Sequence, residues 1–115
     1  MQKTKIRAER LLRDIEALGS IGRDGDGQLT RLAATQADKA GRDAFAKWAR
    51  EAGLDVKVDR IGNMFAIWYA QHESVSEPLM IGSHIDTVVN AGTLDGCYGV
   101  LAGLEVVRTL KEAGL

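Results

Sequence analysis

Apolar residues recur at helical spacing over residues 4–18. Ala8, Leu11, Leu12, Ile15 and Leu18 fall on one side with charges between them, which predicts an amphipathic helix. The stretch Gly19 to Gly27 carries four glycines and no periodicity, so it reads as a flexible loop. Thr35 then stands where an N-cap belongs, with Asp38 at the third helical position. Ala37, Ala40, Ala44, Phe45, Trp48 and Ala52 form an apolar face, and Gly53 is a natural stop. Residues 55–59 alternate like a half-exposed strand. Ile61-Gly62-Asn63 breaks that pattern, and residues 64–69 read as a second strand paired antiparallel to the first. In that strand Trp68 and Tyr69 face opposite sides, one toward the core and one partly toward solvent.

Beyond the polar segment 71–77 (QHESVSE), residues 79–83 form a short continuous apolar run after Pro78. Such a run predicts a strand buried on both faces. A loop over 87–96 leads to a helix from about 97 to 113. Its polar positions Glu105, Arg108, Thr109 and Glu112 lie on one side. Val100, Leu101, Leu104, Val106, Val107 and Leu110 cover the rest, which predicts a largely buried helix. The order is helix, helix, strand, strand, strand, helix. This is an α/β class with an incomplete sheet.

Composition changes this picture little. With 115 residues the chain fits one domain with a modest core. A net charge of −1 with interleaved signs gives no basis for a nucleic-acid or membrane-surface partner. The N-terminus lacks the uninterrupted apolar region of a signal peptide, and no run approaches the ~20 residues of a membrane span. A single cysteine, Cys97, rules out an internal disulfide and fits a reducing cytoplasm. Directly after the acid-rich motif, Cys97 is open to use as a soft ligand or redox-sensitive thiol, but a small apolar packing role is the simpler reading.

The chemistry concentrates in Gly82-Ser83-His84-Ile85-Asp86-Thr87-Val88 and Leu94-Asp95-Gly96. In an extended backbone His84 and Asp86 point to the same side. A carboxylate there can accept the second imidazole N–H and raise the ligand's basicity. Asp95 can return through the loop Asn90-Ala91-Gly92, and its two oxygens suit it to bridging two metal ions. Gly96 and Gly99 would let the backbone turn tightly beside the metals. A bare His-x-Asp at a strand end is far more often a surface ion pair than a metal site. What favours a site is that the histidine, both acids and the glycines fall where a strand hands over to a helix, the usual ligand position in α/β proteins. The second histidine, His72, in the polar segment, reads as a solvated loop residue and only remotely as a third ligand.

The run GSHIDTVVNAGTLDGCYGVLAGLEVVRTLKEAG resembles the metal-binding core of the M20 metallopeptidase/amidohydrolase family. The similarity is greatest to its branch of N-carbamoyl-L-amino-acid hydrolases, beta-ureidopropionases and allantoate amidohydrolases. The upstream RLAATQADKAGRDAFAKWAREAGLDVKVDRIGNMFA matches that branch's Arg-Leu, helix, strand and Gly-Asn order. The resemblance covers residues 5–115 and corresponds to about the first quarter of a full-length member. It implies that His84 is a ligand of one metal, that Asp95 bridges both, and that Asp86 is the catalytic acid behind His84. It implies a strained, often cis, peptide at Asp95-Gly96. The metal would be a divalent ion, Zn, Mn, Co or Ni. The substrate would be a small carbamoyl or ureido acid whose C–N bond is hydrolysed.

The family's Glu-Glu pair, two later histidines and inserted dimerisation domain have no counterpart in these 115 residues. The chain is thus expected to form a single partial catalytic domain over residues 1–115, inactive alone, with weak or absent metal binding. Alternatives are a non-catalytic remnant acting as a weak metal-binding or protein-interaction module, or half of a split enzyme completed by a C-terminal chain. Unfinished packing further predicts a homo-oligomer, formed through the exposed sheet or the last helix.

Overall fold

The computed structural model describes residues 3–72 and 77–115. It contains α1 (Ala8–Gly19), α2 (Gln36–Glu51), β1 (Asp55–Val58), β2 (Met64–Ile67) and α3 (Cys97–Glu112). This is a small α/β arrangement of three helices and one two-stranded sheet. No helix among the described residues is long and apolar enough to cross a membrane.

Helix α2 begins as its sequence dictates. The Thr35 hydroxyl accepts the Asp38 N–H at 3.2 Å, and the Asp38 carboxylate accepts the Ala34 N–H at 2.9 Å. Two orphan N–H groups are thereby satisfied. Leu54 and Ala49 pack with Leu104 of α3, joined by Phe45, Trp48 and Val56. Of the expected apolar face, Ala40 is exposed, and Gly41, Ala46 and Ala49 carry the tightest packing.

Strands β1 and β2 pair antiparallel, Asp55 opposite Ile67 and Val58 opposite Met64. The Asp59 carboxylate ties the turn by accepting the Ile61 and Asn63 backbone N–H groups and the Asn63 amide. Both strands end sooner than the apolar pattern extends. Trp68 and Tyr69 lie beyond β2 and are both exposed, with neither in the core. Lys111 and Lys57 stand over their respective rings, a use of aromatic faces that strand alternation does not foretell.

Helix α1 lies on α3. Leu11, Ile15 and Leu18 pack with Cys97 and Leu101. The polar side of α3 is turned onto α1. Glu105 is 1% exposed and Thr109 is buried, while Val106 is exposed. The reason is on α1: Arg10 clasps Glu105 through two bonds of 2.7 and 2.8 Å, and Arg108 pairs with Asp14. Charges that match across an interface can be buried where unpaired ones cannot.

Two further expectations are corrected. The segment 19–27 is an ordered turn, with the Asp24 carboxylate accepting the Asp26 and Gln28 N–H groups and Arg23 reaching Gly27 O. Residues 79–83 do not form a strand, so the third strand of the expected order is missing. A strand needs a hydrogen-bonded neighbour, and among the described residues β1 and β2 pair only with each other. The segment instead runs along α3, and Leu79 is 92% exposed where burial on both faces was expected. Three positions of α3 or its cap admit it closely. A Cβ on Gly99 would fall 2.8 Å from Ser83 Cβ, and one on Gly103 would fall 3.3 Å from Ile81 Cδ1. At the third, Gly96, the imidazole of His84 occupies the space.

Candidate active site

His84, Asp86 and Asp95 come together where this segment meets the start of α3. Ile85 points inward against Leu18, Cys97 and their neighbours. Alternation then turns His84 and Asp86 outward, as their spacing requires. Asp95 arrives through the loop before α3. Its backbone N–H bonds to Gly92 O at 3.2 Å, and its Oδ2 accepts the Val88 N–H at 3.1 Å.

The imidazole sits between the two acids. Its Nδ1 lies 2.8 Å from the backbone oxygen of Asp86 and 3.4 Å from Asp86 Oδ1. The shorter contact is to the main chain, not to the carboxylate that the spacing singled out. A carbonyl oxygen can only accept, so Nδ1 is the donor in this contact; in the neutral ring the lone pair is then on Nε2. Nε2 faces Asp95 Oδ1 at 3.8 Å. The basic nitrogen and a carboxylate oxygen thus face each other on a partly open surface.

Gly96 makes this possible. Its φ of +65° is one that residues with a side chain rarely adopt. A Cβ there would also lie inside the van der Waals contact distance of Cε1, Nδ1 and Nε2 of His84. The expected cis peptide at Asp95-Gly96 is absent; among the described residues no peptide is cis, and the turn is made by the positive φ of Gly96. Gly99 admits Ser83 and does not line the acid pair.

Tested as a metal centre, this donor set is a partial one. Among the described residues no three His, Cys, Asp or Glu side chains gather to hold one ion. Only His84 Nε2 and Asp95 Oδ1 face a common point, whereas a catalytic zinc takes three protein ligands. The chemistry of the pair, one imidazole with a free lone pair and one carboxylate, suits a divalent ion as part of a larger set. His72 is exposed on its own loop.

Cys97 is buried in the core and is no surface ligand. Burial pushes its thiol pKa up, opposed by the nearby Arg31 guanidinium. Arg31 itself is the residue that sequence reasoning passed over. It is fully buried, with bonds to Ile85 O, Leu18 O, Ile21 O and Cys97 Sγ. Its sequence signal was faint: an Arg-Leu pair between a glycine-rich turn and a helix cap.

No family model matches the chain. Individual proteins do. The chain is 44% identical to an N-carbamoyl-L-amino-acid amidohydrolase of Pseudomonas sp. (strain NS671), over 100% of its own length and 28% of the relative's. It is 37% identical to an allantoate amidohydrolase of Bacillus subtilis (strain 168), over 97% and 27%. Among solved structures, a hydantoinase/carbamoylase family amidase from Burkholderia ambifaria matches with a TM-score of 0.92 and 46% identity, over 99% of this chain and 28% of that one. The chain therefore spans a little over a quarter of the length of the proteins it matches. It belongs with the N-carbamoyl-L-amino-acid and allantoate amidohydrolases, and the matched share is consistent with an N-terminal portion of such a protein.

Proposed function

We propose that this chain supplies one part of a metal-dependent amidohydrolase site that hydrolyses the C–N bond of N-carbamoyl amino acids or ureido acids. The observation that carries this is the setting of His84. Its Nδ1 is anchored on the Asp86 main chain, and its Nε2 is turned to Asp95. The named activities of the relatives supply the substrate class. His84 and Asp95 would hold the ion, and Asp86 steadies the imidazole behind it. A bound divalent ion supplies Lewis acidity and an activated water in such hydrolases. The chain's own part is to fix the direction of the imidazole lone pair and to keep the Asp95 carboxylate within reach, partly desolvated and held by the Val88 N–H.

The 115 residues contain two histidines and no adjacent glutamates, so the ligand set and the general base must be completed by other residues. Proton transfer by a positioned group contributes ~10²–10⁴-fold, and missing ligands remove more. The polypeptide alone is therefore inactive in this reading and binds metal weakly.

The test is a chimera in which residues 1–115 replace the matched quarter of the Pseudomonas relative. It should hydrolyse N-carbamoyl-L-amino acids, lose activity to a chelator, and lose it again in H84A and D95A. The isolated chain should show no turnover. Full activity in a folded H84A chimera, or chelator-sensitive turnover by the isolated chain, would sink the proposal.

A further inference from the structure

Arg31 is 0% exposed, and no carboxylate is among its partners. A guanidinium is tolerated in a core only when its donors are satisfied. Here Nη1 donates to Leu18 O at 2.9 Å and to Ile21 O at 2.6 Å, at the end of α1. The last carbonyls of a helix lack intrahelical partners and carry its negative dipole end, so a cation there is favoured. Nε donates to Ile85 O at 3.0 Å, and Nη2 to Cys97 Sγ at 2.9 Å.

The last two partners are significant by position. Ile85 lies between His84 and Asp86, and Cys97 is two residues beyond Asp95. The main chain of Arg31 adds a second grip on the same segment. Its N–H donates to Thr87 Oγ1 at 2.8 Å, and its carbonyl accepts the Thr87 N–H at 2.7 Å. One residue therefore ties the His84–Thr87 segment, the first turn of α3 and the end of α1 to a common point. Helix α2 leaves room for it at Gly41, where a Cβ would fall 2.9 Å from Arg31 Cδ and 3.1 Å from Ile85 Cγ2. A core that needed only filling would use an apolar side chain at Arg31; the fan of planar donors is what main-chain carbonyls of two segments and the Cys97 sulfur of a third together require.

We propose that Arg31 is a positioning residue for the amidohydrolase site. It sets where His84 stands relative to Asp95 by holding the main chain just after His84 and, through the Cys97 side chain, the helix start just after Asp95. Its importance for catalysis rests on the reading of His84 and Asp95 given above, but its effect on their geometry does not.

The test is made by NMR on the full 115-residue chain, free of metal. In the native protein the imidazole covers Gly96, so the Gly96 Hα protons should show a ring-current shift and a nuclear Overhauser contact to His84 Hε1. Lysine keeps the charge but cannot span the same partners. R31K should lose both signals while contacts of the Ala49–Leu54–Leu104 cluster and a cooperative melt remain. A folded R31K that retains both signals overturns the proposal. Should R31K not fold, T87V removes one partner of Arg31 at nearly constant volume. It should weaken the same two signals, and their persistence at full strength overturns the proposal. A failure of the metal reading shows differently, as chimera activity that is indifferent to His84 while these signals stay as expected.

Discussion

Gly96 meets two demands at once, a positive φ and a vacancy on the side where the His84 ring lies. An alanine there has to leave the left-handed region or push the imidazole away. Left-handed backbone at a residue with a Cβ costs about 1–2 kcal/mol. G96A should therefore destabilise the chain by about that amount, and in the chimera it should remove most of the hydrolytic activity. Denaturant melts and the carbamoylase assay measure the two effects; a fully active G96A would mean that His84 does not need its place over this glycine. At the neighbouring Cys97, burial holds the thiol protonated at mildly alkaline pH. Since the thiolate is the reactive form, a disulfide reagent at pH 8 should modify native Cys97 at least ~10-fold more slowly than the unfolded chain. Equal rates would place the thiol on the surface. At this scale the sequence showed His84, Asp86, Asp95 and Gly96 by type and spacing. It did not show which Asp86 oxygen the ring would touch, which the local backbone turn decides, nor the role of Arg31, which depends on contacts between residues 54 apart in the chain.

Between elements, the α1–α3 interface combines an apolar stripe with buried charge. Burial alone would raise the pKa of Glu105, but the Arg10 guanidinium, the Arg7 N–H and the Thr109 hydroxyl outweigh it and hold the carboxyl below its ordinary value. A group more acidic in the folded than in the unfolded state stabilises fully above its unfolded pKa, about 4.3. That stability is lost as pH falls through the lower folded value. Stability of the wild-type chain should thus drop between about pH 5 and 3, and the drop should be smaller in E105Q. E105A should cost about 3 kcal/mol at neutral pH, since it removes the buried partner of two Arg10 bonds and leaves Arg10 only the exposed Glu112. Denaturant midpoints across that pH range decide both; identical slopes for wild type and E105Q would remove Glu105 from the interface energetics. The interface also shows what the pattern left open. Period and caps made α1, α2, β1, β2 and α3 legible, because those signals are local. The burial of the polar side of α3 was not legible because the matching charges, Arg10 and Asp14, sit on a helix about 95 residues earlier. Residues 79–83 have the composition of a buried strand, but strand formation depends on a neighbour that composition cannot supply.

At the scale of the whole chain, the surface is too large for the mass. A folded monomer of 12.4 kDa exposes about 6,100 Å², and this chain exposes 8109 Å². Its radius of gyration is 15.2 Å, against about 13 Å for a compact domain of 115 residues. The extents of 49 × 36 × 19 Å describe a slab. Part of the excess is apolar and contiguous in sequence: Leu79, Met80 and Ile81 before the site, and Val88, Val89 and Leu94 beside it, are all exposed. Leu104, by contrast, is buried within the chain and is no part of this surface. An excess of roughly 2,000 Å² per chain is more than the about 800 Å² that each partner buries in a standard interface. The main chain of residues 79–83, which pairs with no strand among the described residues, adds a row of hydrogen-bonding groups open to another strand. A net charge of −1 offers little repulsion against self-contact. The isolated polypeptide should therefore dimerise or form higher oligomers through the 79–83 segment and the exposed side of α3. Replacing Leu79 and Ile81 with lysine should shift it toward monomer without lowering its melting temperature, because Leu79 buries almost nothing in the monomer and Ile81 only about half of its surface. Light scattering over a wide concentration range reads the outcome. A wild-type chain that stays monomeric throughout and melts cooperatively would show that the slab is stable with its apolar face in water.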